Sequence, residues 1–468
     1  MAENHYDLIV LGAGTGGYVA AIRAAQLGLH TALVESGKVG GTCLHQGCIP
    51  TKALLNTAEL LHTLQHLPDY GLKGQDLGLD YPKATARKEK VVDQLYRGVQ
   101  FLLKKNKVTV YGGYGTLTDP QHMEVKAPDG TVTLLEAEDI LIATGSVPRE
   151  IPGMAFDGAR IISSDDVLKK TDVPSSIVIL GGGAIGVEFA SMYNDFGSQV
   201  TVVEMLPHIL PLDDEEIAGQ LTKLMTRRGI TIHAGAKFDT DSLRLVDSGI
   251  EADVVLADQS RVKVAGDALL VAVGRKAVTE GIGLDKLGVA VERGFIAVDD
   301  HYRTNVPHVY AIGDVIGGYL LAHVAAAEGM IAVETIALAN PELLDRNRVP
   351  RVTYTRPEVA SVGLSQKEAE DQGYEVKVGI FPFRANGKAL ILGEADGMVK
   401  LVADKKTDAL LGAHIIGAHA SDLINEMALA KFLEATSWEV AESIHAHPTV
   451  SEVLHEAALA VDGRAIHM

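Results

Sequence analysis

The sequence predicts an α/β chain in which one β-turn-α-β unit occurs twice, followed by a C-terminal α+β portion. Three observations carry this. Apolar strands run into glycine-rich turns at Gly12-Ala13-Gly14-Thr15-Gly16-Gly17 and again at Gly181-Gly182-Gly183-Ala184-Ile185-Gly186. In both copies a helical stretch stops at a glycine, Gly28 or Gly197, and a second strand ends in an acidic residue, Glu35 or Glu204, 18 positions after the third glycine. From Val349 onward longer alternating strands and then helices take over, and no glycine fingerprint recurs.

In chain order, the pattern predicts a strand over 6–11, a helix over 18–27 and a strand over 31–34. The second copy predicts a strand over 176–180, a helix ending at Phe196 and a strand over 199–203. Later apolar runs predict strands over 268–273, 309–312, 352–354 and 397–403. Punctuation at Pro148 to Pro152 closes the first unit, and Gly274 closes the second.

Each glycine has a mechanical task. The first, Gly12 or Gly181, permits a tight turn; the second, Gly14 or Gly183, lets backbone approach a pyrophosphate; the third, Gly17 or Gly186, lets helix pack close to strand. The helix N-terminus, with Ala184 and Ile185 in the second copy, offers N–H groups to phosphates. Glu35 and Glu204 are placed to accept hydrogen bonds from adenosine ribose hydroxyls. Two copies in register imply two dinucleotides. Glu204 would repel a 2′-phosphate, and Met205-Leu206-Pro207-His208 brings no Lys or Arg, so NAD(H) is favoured over NADP(H).

Composition excludes several classes. A net charge of −19, from 42 basic against 61 acidic residues, argues against nucleic-acid binding and against docking on anionic membrane. The N-terminal residues are acidic where a signal peptide would be basic. Glycines interrupt the apolar run from Leu8 to Ile22, so it predicts no membrane span. The expected location is cytoplasmic.

Cys43 and Cys48 are the only 2 cysteines in 468 residues. A structural disulfide across so short a loop would remove little chain entropy. Two sulfurs do not make a zinc site, and no metal is expected. The pair reads as a dithiol that cycles with a disulfide. Pro50 suits a first helical turn, which puts Cys48 just before a helix start, where a thiolate is favoured. Exchange with a protonated thiol needs a base; by its local pattern His447, before Pro448, reads equally as a loop residue, and it is the family resemblance given next that implies it as the base, with Glu452 as its carboxylate partner. Thr449-Val450-Ser451-Glu452 also reads as a capping box, a second use for the same carboxylate.

The motifs Gly40-Gly41-Thr42-Cys43…Gly47-Cys48-Ile49-Pro50-Thr51-Lys52, Ala143-Thr144-Gly145, Ala311-Ile312-Gly313-Asp314 and His445-Ala446-His447-Pro448-Thr449 resemble the pyridine nucleotide-disulfide oxidoreductases over essentially the whole chain. The resemblance implies a glutathione-reductase-like fold of two Rossmann-like dinucleotide-binding domains with a C-terminal α+β dimerisation domain. It implies an FAD-binding domain over 1–148, an NAD-binding domain over 149–274, a central domain over 275–346 completing the FAD site, and an interface domain over 347–468. It implies FAD and NAD as cofactors.

By resemblance, Cys48 is the sulfur nearer the flavin and forms a charge-transfer thiolate, while Cys43 exchanges with substrate. The His447–Glu452 pair faces the disulfide of the neighbouring subunit, so the active site of the homodimer is composite. Gly41, Thr42 and Lys52 approach the flavin, Lys52 partnered by Glu188 of the second nucleotide helix. Asp314 reaches the ribityl or pyrophosphate region, Thr144, Gly145 and Ser146 lie at a strand end, and Gly115 passes near the adenine. Leu320, Ala322 and His323 sit beside the flavin, and Gly274 joins the NAD site.

The implied reaction oxidises protein-bound dihydrolipoamide with NAD+. The implied partners are lipoyl domains of 2-oxo acid dehydrogenase complexes or a glycine-cleavage carrier protein. Reduction of another disulfide such as glutathione is the competing enzyme reading, and a flavoprotein scaffold the non-enzymatic one; a scaffold needs neither the dithiol nor the His–Glu pair. Departures from the family pattern are Thr51, Gly318-Tyr319, and Leu44-His45-Gln46 between the cysteines. The sequence gives no physical reason for His45.

Overall fold

The computed structural model describes residues 4–468. The chain forms two compact units, each drawn from separated stretches. The first runs up to Ala53 and adds 83–149 and 275–344; the second takes 54–82, 150–274 and 345–468.

The first unit is built on parallel strands β1 (His5–Leu11), β2 (Thr31–Glu35) and β3 (Thr109–Gly112). The antiparallel arm β4 (Tyr114–Leu117) and β5 (His122–Lys126) joins them through β6 (Val132–Ile142), in the order β3-β2-β1-β6-β5-β4. The strand Val309–Ala311 pairs parallel with β6 on its other side, so late sequence completes the early sheet. Leu8, Ile9 and Val10 of β1 are fully buried, as a central parallel strand with both faces covered requires. Helix α1 (Thr15–Gln26) packs on the helix Ala322–Ile336 at glycine contacts: a Cβ on Gly16 would lie 2.9 Å from the Ala325 carbonyl oxygen, and one on Gly329 2.9 Å from that of Gly16.

In the second unit, strands Thr231–His233, Gln199–Val203, Ser176–Leu180, Ala268–Val271 and Ile161–Ile162 form a five-stranded parallel sheet in that order. A three-stranded antiparallel sheet accompanies it. The portion from Arg351 is a five-stranded antiparallel sheet, with the helices Ala420–Phe432 and Glu452–Val461 sharing its core. The α+β expectation for this portion is met.

Boundaries differ from the sequence pattern where glycine geometry decides them. The first helix starts at Thr15 rather than Tyr18, because Gly14 at φ −62°, ψ −178° acts as its N-cap and Gly16 and Gly17 already lie in the first turn. The strand expected from Gly397 starts at Met398, since Gly397 takes φ +117°. Among the described residues no helix is long and apolar enough to cross a membrane.

Candidate functional site

Two helices carry the cysteines. α2 (Gly41–His45) holds Cys43, and α3 (Cys48–Gln65) begins at Cys48 itself, one residue earlier than a preceding-loop placement. Both are thiols and half-buried. The hydrogen bond with Cys48, working against burial, pulls the Cys43 thiol down to about 7; the Thr15 hydroxyl and the Lys52 ammonium pull the same way. The loop before α2 lies on the glycine turn: Gly40 N–H donates to Ala13 O at 2.7 Å, and a Cβ on Gly41 would stand 2.6 Å from Gly14 Cα. His45 acquires a reason. Its Nε2 lies 2.9 Å from Val39 O and its ring meets Tyr96 edge-on at 5.2 Å, fixing a helix too short to hold itself.

The glycine turns separate packing from vacancy. A Cβ on Gly12 would lie 2.3 Å from Ala143 O, and one on Gly17 1.9 Å from Gly12 O, whereas one on Gly14 would meet nothing within 4 Å. In the second copy Gly181 and Gly186 would clash with Ala272 O at 2.4 Å and Gly181 O at 1.9 Å, and Gly183 is again open. Only the middle glycine faces open space, where a pyrophosphate fits against a 12-residue helix start in both units. Ala184 and Ile185 open the second helix, and Gly274 closes that unit at φ +107°.

Both acidic residues hold backbone. Glu35 accepts from Ala13 N–H and Gly37 N–H at 2.7 Å each, and Glu204 from Gly182 N–H at 2.6 Å and Leu206 N–H at 2.7 Å. Their remaining lone pairs suit ribose hydroxyls. A pocket of about 480 Å³ opens beside Glu35, with Tyr96, Lys104 and Lys107 in its walls. Glu188 is buried and accepts from Tyr354 N–H at 3.0 Å.

Residues from three stretches of the first unit converge near Asp314. Ser146 Oγ donates to Asp314 Oδ2, and Arg275 reaches Ser146 Oγ at 2.7 Å and Ser146 O at 2.8 Å. Thr144 Oγ1 donates to Val278 O at 2.7 Å, and Gly145, at φ +71°, accepts from Val278 N–H at 3.0 Å. Sequence reasoning missed Arg275, because nothing local marks a contact across 129 positions. Gly115 lies inside β4, where a Cβ would press Leu11 Cδ1 at 2.5 Å. Leu320 takes φ +53°, and Ala322 and His323 open the helix Ala322–Ile336.

In the second unit His447 Nδ1 and Glu452 Oε1 lie 2.9 Å apart. The other oxygen, Oε2, accepts from Thr449 N–H at 2.9 Å. The expected capping box is corrected to half a box: the helix begins at Glu452 with Ser451 as N-cap, and Thr449 Oγ1 turns to Ala446 O instead. One carboxylate thus serves both backbone and imidazole. Burial pushes the Glu452 carboxyl up, but the Thr449 N–H, the His447 ring and the His445 charge outweigh it and hold it below the usual range. The His447 side chain is 79% exposed, so its own chain leaves the ring open. Among the described residues no cluster suited to a metal ion occurs.

Residues 6–329 match the family model described as pyridine nucleotide-disulphide oxidoreductase, and 349–458 match that family's dimerisation domain. The sequence is 48% identical over 472 residues to a dihydrolipoyl dehydrogenase of Bacillus subtilis, with 99% of each chain covered. It is 48% identical over 465 residues to one of Zymomonas mobilis, again with 99% of each covered. Among solved structures it is similar to LpdA from Mycobacterium tuberculosis, with TM-score 0.89, 28% identity and coverage of 97% and 99%. It is also similar to the flavoprotein disulfide reductase RclA from Escherichia coli, with TM-score 0.86, 27% identity and the same coverage.

Proposed function

The chain belongs to the pyridine nucleotide-disulphide oxidoreductase family, and on that premise we propose that it is a dihydrolipoyl dehydrogenase. It oxidises protein-bound dihydrolipoamide to lipoamide and reduces NAD+ to NADH. The observation that carries this reading is the Cys43–Cys48 dithiol, with its Cys43 thiol drawn down to about 7 beside a dinucleotide turn.

FAD and NAD are its cofactors, and together they supply the two-electron path from dithiol to pyridine nucleotide. Gly12, Gly14, Gly17, Glu35, Gly41, Thr42, Lys52, Gly115, Thr144, Gly145, Ser146, Asp314, Leu320, Ala322 and His323 would hold FAD. Gly181, Gly183, Ala184, Ile185, Gly186, Glu188, Glu204 and Gly274 would hold NAD. Residues 1–148 and 275–346 serve the first cofactor, 149–274 the second, and 347–468 the dimer.

The protein's own part is placement and proton management. A dihydrolipoyl thiol is mostly protonated at neutral pH, so His447 from a second copy accepts its proton through Nε2. Glu452 fixes the ring by holding Nδ1. The thiolate so formed attacks the Cys43 sulfur of the disulfide, the sulfur assigned to exchange, and Cys48 leaves as thiolate. A second attack within the lipoyl arm then frees Cys43. The lipoyl arms come from carriers of 2-oxo acid dehydrogenase complexes or of glycine cleavage, in the cytoplasm.

Anaerobic assay of the flavin-loaded protein with dihydrolipoamide and NAD+ tests this, with NADP+ and glutathione as controls. NADH formation is expected with dihydrolipoamide alone. Flavin-bound protein that forms no NADH would overturn the reading.

A further inference from the structure

The two sulfurs stand on supports of unequal stiffness. Cys48 opens the 18-residue helix α3, whereas Cys43 sits in α2, a turn of 5 residues that cannot hold itself. The place of Cys43 relative to Cys48 is therefore decided by what grips the ends of α2. At the entry, Gly40 N–H donates to Ala13 O at 2.7 Å and ties the loop to the glycine turn. At the exit, His45 Nε2 lies 2.9 Å from Val39 O. A carbonyl oxygen only accepts, so Nε2 carries the proton and donates it. That bond closes 39–45 into a ring with Cys43 inside it. The ring is seated as well as closed. Val39 and Leu44 are buried, and the His45 imidazole meets Tyr96 of the helix Tyr81–Lys105 edge-on at 5.2 Å. The Lys38 ammonium lies 5.9 Å from the centre of the same Tyr96 ring.

We propose that His45 is a positioning residue for the dithiol: by closing the 39–45 ring it holds Cys43 within bonding reach of Cys48, and so favours the disulfide over the two thiols. The hydrogen bond between the thiols lasts only while α2 stays in this place. Closing the disulfide forms one S–S bond and releases two electrons and two protons to an acceptor. An untied turn would let Cys43 swing away in the dithiol, and that freedom would be lost again on bond formation. The tie removes the loss in advance, so the dithiol becomes the stronger reductant.

The consequence for turnover rests on the dihydrolipoyl dehydrogenase reading. A more strongly reducing dithiol passes electrons more readily to flavin and NAD+, and takes them less readily from a lipoyl arm. His45 thereby sets how the driving force is divided between the two half-reactions. The tie itself involves no substrate, and its effect on the disulfide is the same for any thiol that exchanges with Cys43.

The test equilibrates flavin-loaded protein, free of pyridine nucleotide, with graded ratios of oxidised to reduced dithiothreitol. Oxidised dithiothreitol takes two electrons and two protons from the dithiol and leaves the Cys43–Cys48 disulfide. Alkylation followed by mass spectrometry scores the thiols that remain. In His45→Leu, half-oxidation should need a ratio about 3- to 10-fold higher than in wild type, the worth of one hydrogen bond. His45→Gln, whose amide N–H still reaches for Val39 O, should stay within about twofold of wild type. Flavin absorbance and the thermal transition report that each variant is folded and loaded. Should His45→Leu fail to load, Tyr96→Leu against Tyr96→Phe makes the same comparison, one removing the ring beside His45 and one keeping it. A ratio unmoved by the leucine variant, or moved as far by its conservative counterpart, would overturn the inference. Wild-type enzyme without lipoyl turnover would instead overturn the functional reading, and the dithiothreitol ratio would still decide the role of His45.

Discussion

Glu452 divides its two oxygens between different masters: Oε1 lies 2.9 Å from His447 Nδ1, and Oε2 accepts the Thr449 N–H at 2.9 Å. An amide can imitate only one of these. In Glu452→Gln the single acceptor oxygen serves the loop or the imidazole but not both, and an amide N–H turned to Nδ1 would hold the ring with its proton on Nε2, the tautomer that accepts nothing there. Lipoyl turnover should fall by about 10²-fold, the lower range for general-base assistance. Steady-state rates with dihydrolipoamide measure it, and a change below threefold would show that the ring needs no anchor.

The Cys43 thiol, drawn down to about 7, should react as thiolate in neutral solution. In anaerobically reduced protein, iodoacetamide labelling of Cys43, followed by mass spectrometry, should be half-maximal near pH 7. Thr15→Val removes one of the groups holding it there, so the midpoint should rise. Cys43→Ser should abolish lipoyl turnover and leave NADH oxidation by artificial acceptors. Loss of both activities with FAD retained would mean that the electron path is misassigned.

The glycines of the first turn should fail in different ways. Gly17→Ala puts a methyl 1.9 Å from the Gly12 carbonyl oxygen, so the strand-helix junction itself must shift. Gly14→Ala meets nothing in the protein, and its extended backbone tolerates a side chain. Gly14→Ala should therefore keep its circular dichroism and thermal transition as apoprotein, while flavin affinity drops at least about tenfold. Gly17→Ala should lose both. Equal behaviour of the two variants would contradict the division of labour.

Asp214 joins Lys400 at 3.0 Å in a pair almost wholly buried, and also caps the helix Glu215–Arg227. Burial pushes the Asp214 carboxyl up, but His414, Lys400 and the Gln366 N–H outweigh it, leaving it below its ordinary value. A depressed carboxyl contributes stability above its unfolded pKa, near 4, and loses it as pH falls through the folded value. Asp214→Asn should lower the melting temperature at pH 7 by several degrees, and the gap from wild type should narrow between pH 5 and pH 3. A gap constant over that range would place the effect in packing rather than charge.

The parts of this protein legible in its sequence are those written in local backbone geometry. Gly12, Gly14 and Gly17 with Glu35, and their repeat at Gly181 to Glu204, announce a turn because tight turns demand glycine within a few positions. The dithiol was legible because no other cysteine competes with it. Arg275 on Ser146, Thr15 beside Cys43 and Glu426 on His445 were not, since each joins residues that only the folded chain brings together. His45 was opaque for the same reason: its partner Tyr96 is on another helix. The helix start at Thr15 was misjudged because propensity disfavours glycine in helices, and packing against the Ala322–Ile336 helix overrode it.

The bonds from Glu204 to Gly182 N–H and Leu206 N–H bear on any attempt to retune coenzyme choice. The carboxylate proposed to face the coenzyme ribose is also a strut for its own loop. Exchanging it for a small neutral residue and adding arginines would remove the repulsion of a 2′-phosphate and, in the same stroke, slacken the turn that receives the rest of the molecule. Switched preference would then arrive with weakened binding of both coenzymes, unless a second substitution restored the lost acceptors. Glu35 imposes the same bargain on the first unit, through Ala13 and Gly37.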